Sequence, residues 1–221
     1  ALGHGQYVLT GEQRLCERPV GALIGALQSM KIDISCRDNC PPVTVRASGM
    51  NGGTVILKNS ESSQFVSALL MSAPYAAQDT DIILHGASVS RPYIDLTVSV
   101  MHDFGAKIIE QGKGRYHVSA GEMYQGRKYS VEADVSSASY FFLAAALLKK
   151  PIRVKGILST SRQGDLRFLK IMEELGCRIH YGSKWLEVSC AEPAAGDFVF
   201  DLNEMPDMVP TLAVMAAFRR G

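Results

Sequence analysis

Ser90-Arg91-Pro92-Tyr93-Ile94-Asp95 decides how the rest of the chain is read. A proline is tolerated in the first turn of a helix, because the N–H it lacks would have no partner there and its fixed φ suits the helix. The stretch that follows is apolar-periodic and closes in Phe104-Gly105-Ala106, with a glycine where a helix takes a left-handed cap. Arg18-Pro19 upstream and Arg162-Gln163 downstream open comparable stretches, which end in Met30-Lys31-Ile32 and Leu175-Gly176-Cys177. The three starts lie 73 and 71 residues apart. A period this regular marks one supersecondary unit used repeatedly.

A second landmark recurs half a period away. Ser62-Ser63-Gln64-Phe65, Ser136-Ser137-Ala138-Ser139 and Pro206-Asp207-Met208 each open an apolar helix, at about 63–73, 137–148 and 207–219. These helices are apolar nearly all round, which predicts an interior position. The helix at 165–175 differs, with Leu166, Leu169, Met172 and Leu175 forming a stripe opposite Arg167, Lys170 and Glu174. Short strands fit between the helices at 54–57, 81–84, 107–110, 115–119, 152–154, 178–181 and 185–189. The unit is α/β and reads strand, helix, strand, helix, strand, strand. Complete copies are expected at about 54–120 and 128–190. Residues 1–50 carry only the second half of a copy and 197–221 only the first half of another, so material is expected to be missing at both ends. Polar, glycine-rich 121–128 reads as a link between lobes.

The composition allows a packed core across the 221 residues, with 47% hydrophobic and 20% charged side chains. Lys and Arg total 23 against 22 Asp and Glu, so there is no overall field to draw nucleic acid or an anionic membrane, and neither is expected as a partner. The longest uncharged apolar run, Tyr140–Leu148, is far too short to span a bilayer, and a cytoplasmic location is expected. Five cysteines without zinc-site spacing favour free thiols over a disulfide frame or a metal site.

Ser62-Ser63-Gln64 could cradle a phosphate, since two hydroxyls sit beside free backbone N–H groups and the positive end of a helix dipole. An ordinary serine cap has the same pattern. Ser136-Ser137 offers the same chemistry. Ser90 with Tyr93 supplies a hydroxyl, N–H groups and a phenol to an oxyanion, or simply caps a helix beside an exposed Arg91. Arg18 could grip a carboxylate or phosphate bidentately. Asp207 reads first as a cap and second as a carboxylate able to take a hydroxyl proton.

Several segments in one order resemble the 5-enolpyruvylshikimate-3-phosphate synthases, the 3-phosphoshikimate 1-carboxyvinyltransferases of aromatic amino-acid biosynthesis. They are Leu9-Thr10-Gly11-Glu12 with Arg18-Pro19, Ser62 through Met71, Ser90 through Asp95, Val131 through Tyr140, Gln163-Gly164-Asp165 and Pro206-Asp207. The resemblance implies the enolpyruvyl transferase fold, an inside-out α/β barrel of repeated βαβαββ units in two lobes. Both lobes would be incomplete here: 1–130 with half a unit plus a full one, and 131–221 with a full unit plus half. It implies substrate binding by Ser62, Ser63 and Ser90 to shikimate 3-phosphate, packing of Gln64 and Tyr93 at the same site, contact of Arg18 with phosphoenolpyruvate, and a catalytic Asp207 at the attacking ring hydroxyl.

The implied reaction adds that hydroxyl across the enolpyruvyl double bond and eliminates phosphate, in the shikimate pathway, with no cofactor and no metal. The family's early Lys-Ser segment, its Asn-Ala-Gly-Thr loop and its later Lys-Glu-Thr-Asp-Arg stretch do not occur in this sequence. The expectation is therefore a chain that holds most of the shikimate 3-phosphate half-site, is inactive alone, and has a complementary segment as a possible partner. Alternatives are an enzyme like the UDP-N-acetylglucosamine enolpyruvyl transferases, against which the Ser-Ser-Gln and Arg-Pro-Tyr segments argue, and a non-catalytic remnant or binding module.

Overall fold

A computed structural model describes residues 1–58, 62–86, 90–112, 114–191 and 194–219. The chain divides into two compact units, Ala1–Arg127 and Lys128–Gly221, each with its own hydrophobic core.

The first unit begins with strand β1 (His4–Leu9), short helix α1 (Gln13–Cys16), helix α2 (Gly21–Ser29) and strands β2 (Asp33–Arg37) and β3 (Cys40–Ser48). These strands form an antiparallel sheet in the order β1-β3-β2. A complete copy of the repeat follows: β4 (Gly53–Lys58), α3 (Ser63–Ser72), β5 (Thr80–His85), α4 (Arg91–Asp103), β6 (Ile108–Glu110) and β7 (Arg115–Val118). Its sheet runs β4-β5-β7-β6, with β4 and β5 parallel and the remaining pairs antiparallel. Alternation explains the strands: Thr80, Ile82 and Leu84 of β5 face inward and are buried, while Asp81 and Ile83 are only partly covered. The core closes on Ile82, Leu70, Ile94 and Val118, all without solvent exposure.

Two glycines hold the turns of this copy. Gly52 has φ +85°, and a Cβ there would lie 2.1 Å from the Gln78 carbonyl oxygen, so only glycine permits the crossing before β4. Gly105, at φ +90°, follows α4 as expected: its N–H donates to His102 O at 2.9 Å and that of Ala106 to Met101 O at 3.0 Å, which satisfies the last carbonyls of the helix.

The second unit holds α5 (Val135–Leu148), β8 (Ile152–Lys155), α6 (Phe168–Glu174), β9 (Cys177–Tyr181), β10 (Trp185–Cys190) and α7 (Val209–Ala217), the last entered through a 3-10 turn at Pro206–Met208. Its sheet, β8-β10-β9, is antiparallel and repeats the order of β1-β3-β2. Phe142, Met172, Leu186 and Met208 centre its core.

The strands differ from the sequence reading by about one residue, but three expectations fail. The copy at 128–190 has no opening strand: 128–134 forms no strand, and the Ala133 N–H donates to the O of Gly156, just past β8, at 2.9 Å. The apolar helices are not interior. Met71 of α3, Tyr140 and Phe141 of α5, and Val209 and Val214 of α7 are exposed, because α3 and α5 lay one side on a sheet and α7 packs on α5, which leaves their other sides open. The cysteines are not all free thiols, since Cys177 and Cys190 are joined in a disulfide. Hairpin register, invisible in the spacing of the cysteines, sets them directly opposite each other on β9 and β10. Among the described residues no helix is long and apolar enough to cross a membrane.

Candidate functional site

Parallel pairing of β4 with β5 places the starts of α3 and α4 at one edge of the sheet. Lys58 ends β4 opposite His85, which ends β5, and each following helix begins within a few residues. Ligands of α/β sheets collect outside such carboxyl ends, where helix N-termini point their free N–H groups. The two helices lie side by side, with Ser67 Oγ and Thr97 Oγ1 2.8 Å apart. Ser62, Ser63 and Gln64 therefore lie at the same end of the unit as Ser90 and Tyr93.

Each of these residues has a distinct local state. Ser62 is the N-cap of α3, and its Oγ accepts from the Gln64 N–H at 3.1 Å. Ser63, the first helical residue, is half-buried and is not the cap. Ser90 caps α4 in the left-handed region at φ 57° and ψ 42°, is buried, and makes no side-chain cap bond. That conformation costs a non-glycine residue roughly 1–2 kcal/mol, and such strain clusters at ligand sites. Tyr93 is half-buried, with its N–H donating to Ser90 O at 3.2 Å.

Arg91 is not the exposed side chain that the sequence suggested. It donates to Asp95 Oδ1 at 2.8 Å and Glu110 Oε1 at 2.5 Å, and its guanidinium lies 5.7 Å from the centre of the Tyr116 ring. Burial opposes its charge, but the two carboxylates outweigh burial and hold it protonated. Tyr116 is pushed up to about 12 by its own burial, with Arg91 pulling the other way. Arg91 thus braces α4 against β6 and β7 rather than facing a ligand.

Arg18 is exposed, and its N–H donates to Leu15 O at 3.1 Å. Pro19 directly after it, with Gly21 and Ala22 at the start of α2, lines a hollow of about 610 Å³ shared with Ile56 and Leu57 of β4 and Phe65 of α3. Phe65 directly follows Gln64. Residues of α2 and α3 consequently border one hollow, whose lining includes Pro19 and Phe65, the chain neighbours of Arg18 and Gln64.

In the second unit, the α5 start shows what a closed version of the same device looks like. Its cap is Asp134, not a serine: the carboxylate accepts from the Ser136 and Ser137 N–H groups at 3.0 and 3.2 Å, and from both hydroxyls. Burial alone would raise the Asp134 pKa, but these bonds prevail and lower it. An anion is already in place, so Ser136-Ser137 is no phosphate cradle. Gln163 anchors the same helix start, accepting from the Val135 N–H at 2.8 Å and donating to Ala133 O at 2.9 Å. Sequence reasoning had no role for it; the Gln163-Gly164-Asp165 motif was the only signal. Asp165 beside it is buried.

Asp207 is exposed and sits in the 3-10 turn before α7. The caps are Met205 for the turn and Met208 for the helix, so the capping role favoured from sequence does not hold. It belongs to the second unit, as Ser136-Ser137 does, whereas Arg18, Ser62, Ser63, Gln64, Ser90 and Tyr93 belong to the first.

One complete βαβαββ copy, two partial ones and their polar helix starts define the class: an α/β fold of the enolpyruvyl transferase kind. The structure is similar to that of the enolpyruvyl transferase NikO from Streptomyces tendae, with TM-score 0.73 at 16% identity, covering 98% of this chain and 52% of that one. It is also similar to EPSP synthase from Acinetobacter baumannii, with TM-score 0.73 at 21% identity over all of this chain and 51% of the other. Across residues 1–221 the chain matches the model of EPSP synthase (3-phosphoshikimate 1-carboxyvinyltransferase), and it belongs to that family. The 3-phosphoshikimate 1-carboxyvinyltransferases of Yersinia ruckeri and Marinomonas sp. are 43% and 41% identical over the whole chain. The chain spans about half the length of these curated relatives.

Proposed function

We propose that this chain carries the greater part of a shikimate 3-phosphate half-site for enolpyruvyl transfer, and that it does not turn over alone. In the full reaction the 5-hydroxyl of shikimate 3-phosphate adds to the enolpyruvyl carbon of phosphoenolpyruvate, and elimination of phosphate restores the double bond. The observation that carries the reading is the hollow bordered by residues of α2 and α3. The α3 start is capped by a serine hydroxyl, whereas the α5 start is filled by its own carboxylate. Ser62, Ser63 and Ser90 would hold the phosphate and carboxylate, Gln64 and Tyr93 would pack on the ring, Arg18 would reach phosphoenolpyruvate, and Asp207 would accept the hydroxyl proton. Bringing two polyanions together needs such fixed donors and cations, because their mutual repulsion is otherwise unscreened once water leaves. In this reading residues 1–130 and 131–221 are parts of two incomplete lobes, and the protein is cytoplasmic.

Calorimetry on the folded chain tests it. Weak heat of binding with shikimate 3-phosphate and no product with both substrates is the expected result. Ser63→Ala should abolish that heat while moving stability by under about 0.5 kcal/mol, as for a residue that is not the cap. Absence of binding by folded wild-type chain would overturn the half-site, and steady-state turnover would overturn the claim of inactivity. A purely structural role for these serines predicts binding unaffected by Ser63→Ala, and is favoured only by the Ser62 cap bond.

A further inference from the structure

α3 and α4 bring their candidate ligand groups to one end of the sheet, so the placement of one helix along the other decides whether those groups meet a single ligand. Their buried side chains include Val66, Leu69 and Leu70 from α3 and Ile94 and Met101 from α4. Apolar contact is non-directional and leaves such a pair free to slide by a fraction of a turn. A hydrogen bond is directional and fixes the register.

One such bond links the two helices. Ser67 Oγ and Thr97 Oγ1 are half-buried and 2.8 Å apart. Thr97 Oγ1 also donates to Tyr93 O, the carbonyl four residues back in its own helix, at 2.8 Å. A hydroxyl has one proton, so with that of Thr97 committed to Tyr93, Ser67 is the donor to Thr97. The result is a directed relay from α3 to the first turn of α4. Bonding back to the carbonyl four residues earlier slightly destabilises a helix and bends it, so helix stability does not account for Thr97, whereas the link to Ser67 does. Residues four apart in a helix lie on one face. Ser63 therefore stands one turn before Ser67, and Tyr93 one turn before Thr97, both toward the end where the helices begin.

The serine belongs to the repeat. Ser67 lies five residues after the α3 cap, Ser62, and Ser139 five after the α5 cap, Asp134. Ser139 Oγ likewise meets a threonine of another helix, Thr211 Oγ1 of α7, at 2.8 Å, and both are buried. There the serine gives its proton to Ser136 O at 2.7 Å, so Thr211 is the donor. Thr211 follows Asp207 by four residues, as Thr97 follows Tyr93.

We infer that Thr97, held by Ser67, is a positioning residue for the shikimate 3-phosphate half-site. The pair sets the register of α3 against α4, and with it the spacing of Ser62–Gln64 from Ser90 and Tyr93, without touching the ligand. The inference rests on the half-site reading, since it assigns a role in binding that ligand.

Calorimetry of the full chain with shikimate 3-phosphate tests it, with circular dichroism to establish that each variant is folded. Thr97→Val keeps the shape of the side chain and removes the hydroxyl, whereas Thr97→Ser keeps the hydroxyl and removes the methyl. Positioning predicts an affinity about tenfold weaker in Thr97→Val and within about twofold of wild type in Thr97→Ser. A packing role predicts the reverse order, with affinity following the methyl. Ser67→Ala should weaken binding as much as Thr97→Val, and the double variant no further than either, because each removes the same link. Ser67→Ala decides the same point should Thr97→Val fail to fold. Ser72→Ala, whose hydroxyl bonds Ala68 O and Leu69 O within α3, should leave affinity unchanged. Wild-type affinity in Thr97→Val or Ser67→Ala, or losses that add in the double variant, would overturn the inference and leave the half-site standing. A folded wild-type chain that binds no shikimate 3-phosphate would overturn the half-site, and this inference with it.

Discussion

β5 and β1 occupy equivalent places in two copies of one repeat within the same unit, yet their surroundings are opposite. β5 lies between β4 and β7 with Ile82 wholly buried, while among the described residues β1 has one strand neighbour and no buried residue. Their sequences alone do not explain this, since Tyr7-Val8-Leu9 is an uncharged, largely apolar run as Ile82-Ile83-Leu84 is. A strand becomes core only when a second strand and a helix remove its side chains from water. Within this unit that cover exists for one copy and not for the other.

The largest test of that contrast is Ile82→Ala. Removing buried methylenes from a site already closed on both sides should cost about 2–5 kcal/mol, read as a fall in the denaturant midpoint of the first unit. An effect below about 1 kcal/mol would mean that β5 is not the closed strand described here.

Among its described residues the second unit lacks the covering strand too, but its sheet has a covalent clip. The Cys177–Cys190 disulfide closes a loop of 13 residues across β9 and β10. Losing it should cost about 3 kcal/mol for a loop of this length. Thermal unfolding of Cys177→Ser, with and without reductant on the wild type, checks this, and only the second unit should respond.

Asp134→Ala should cost about 1–2 kcal/mol by removing the α5 cap. The sign of its pH dependence is fixed: the folded carboxylate titrates below its ordinary value, so its stabilising contribution is present above about pH 4 and is lost as pH falls through the folded pKa. The variant should show a flatter stability profile in acid than the wild type. Val8→Ala in β1 is the smallest effect, within about 0.5 kcal/mol for an exposed side chain. A larger loss would show that β1 is covered in solution.

Much of this was legible from local chemistry. Arg-Pro helix starts, glycine C-caps at Gly105 and Gly176, and alternating strands are decided by a few neighbouring residues, so most strand limits and, apart from the absent opening strand before α5, the order of elements follow from the sequence. Ser62 as a cap and Ser90 near a helix start were readable for the same reason. The disulfide was not, because opposition of Cys177 and Cys190 is set by hairpin register. Nor was the pairing of Arg91 with Glu110, which lies on another strand, or the caging of Ser136-Ser137 by Asp134, which depends on the carboxylate turning back toward the helix.

The sequence by itself determined the repeat, its period and the family, because these are written in residues close enough to interact along the chain. Tertiary structure alone decided which copies are closed, which apolar faces meet water, and which helix starts already hold an anion. Those depend on which distant segment fills the space beside a strand or helix, and the same run of apolar letters stays exposed or becomes core according to that neighbour.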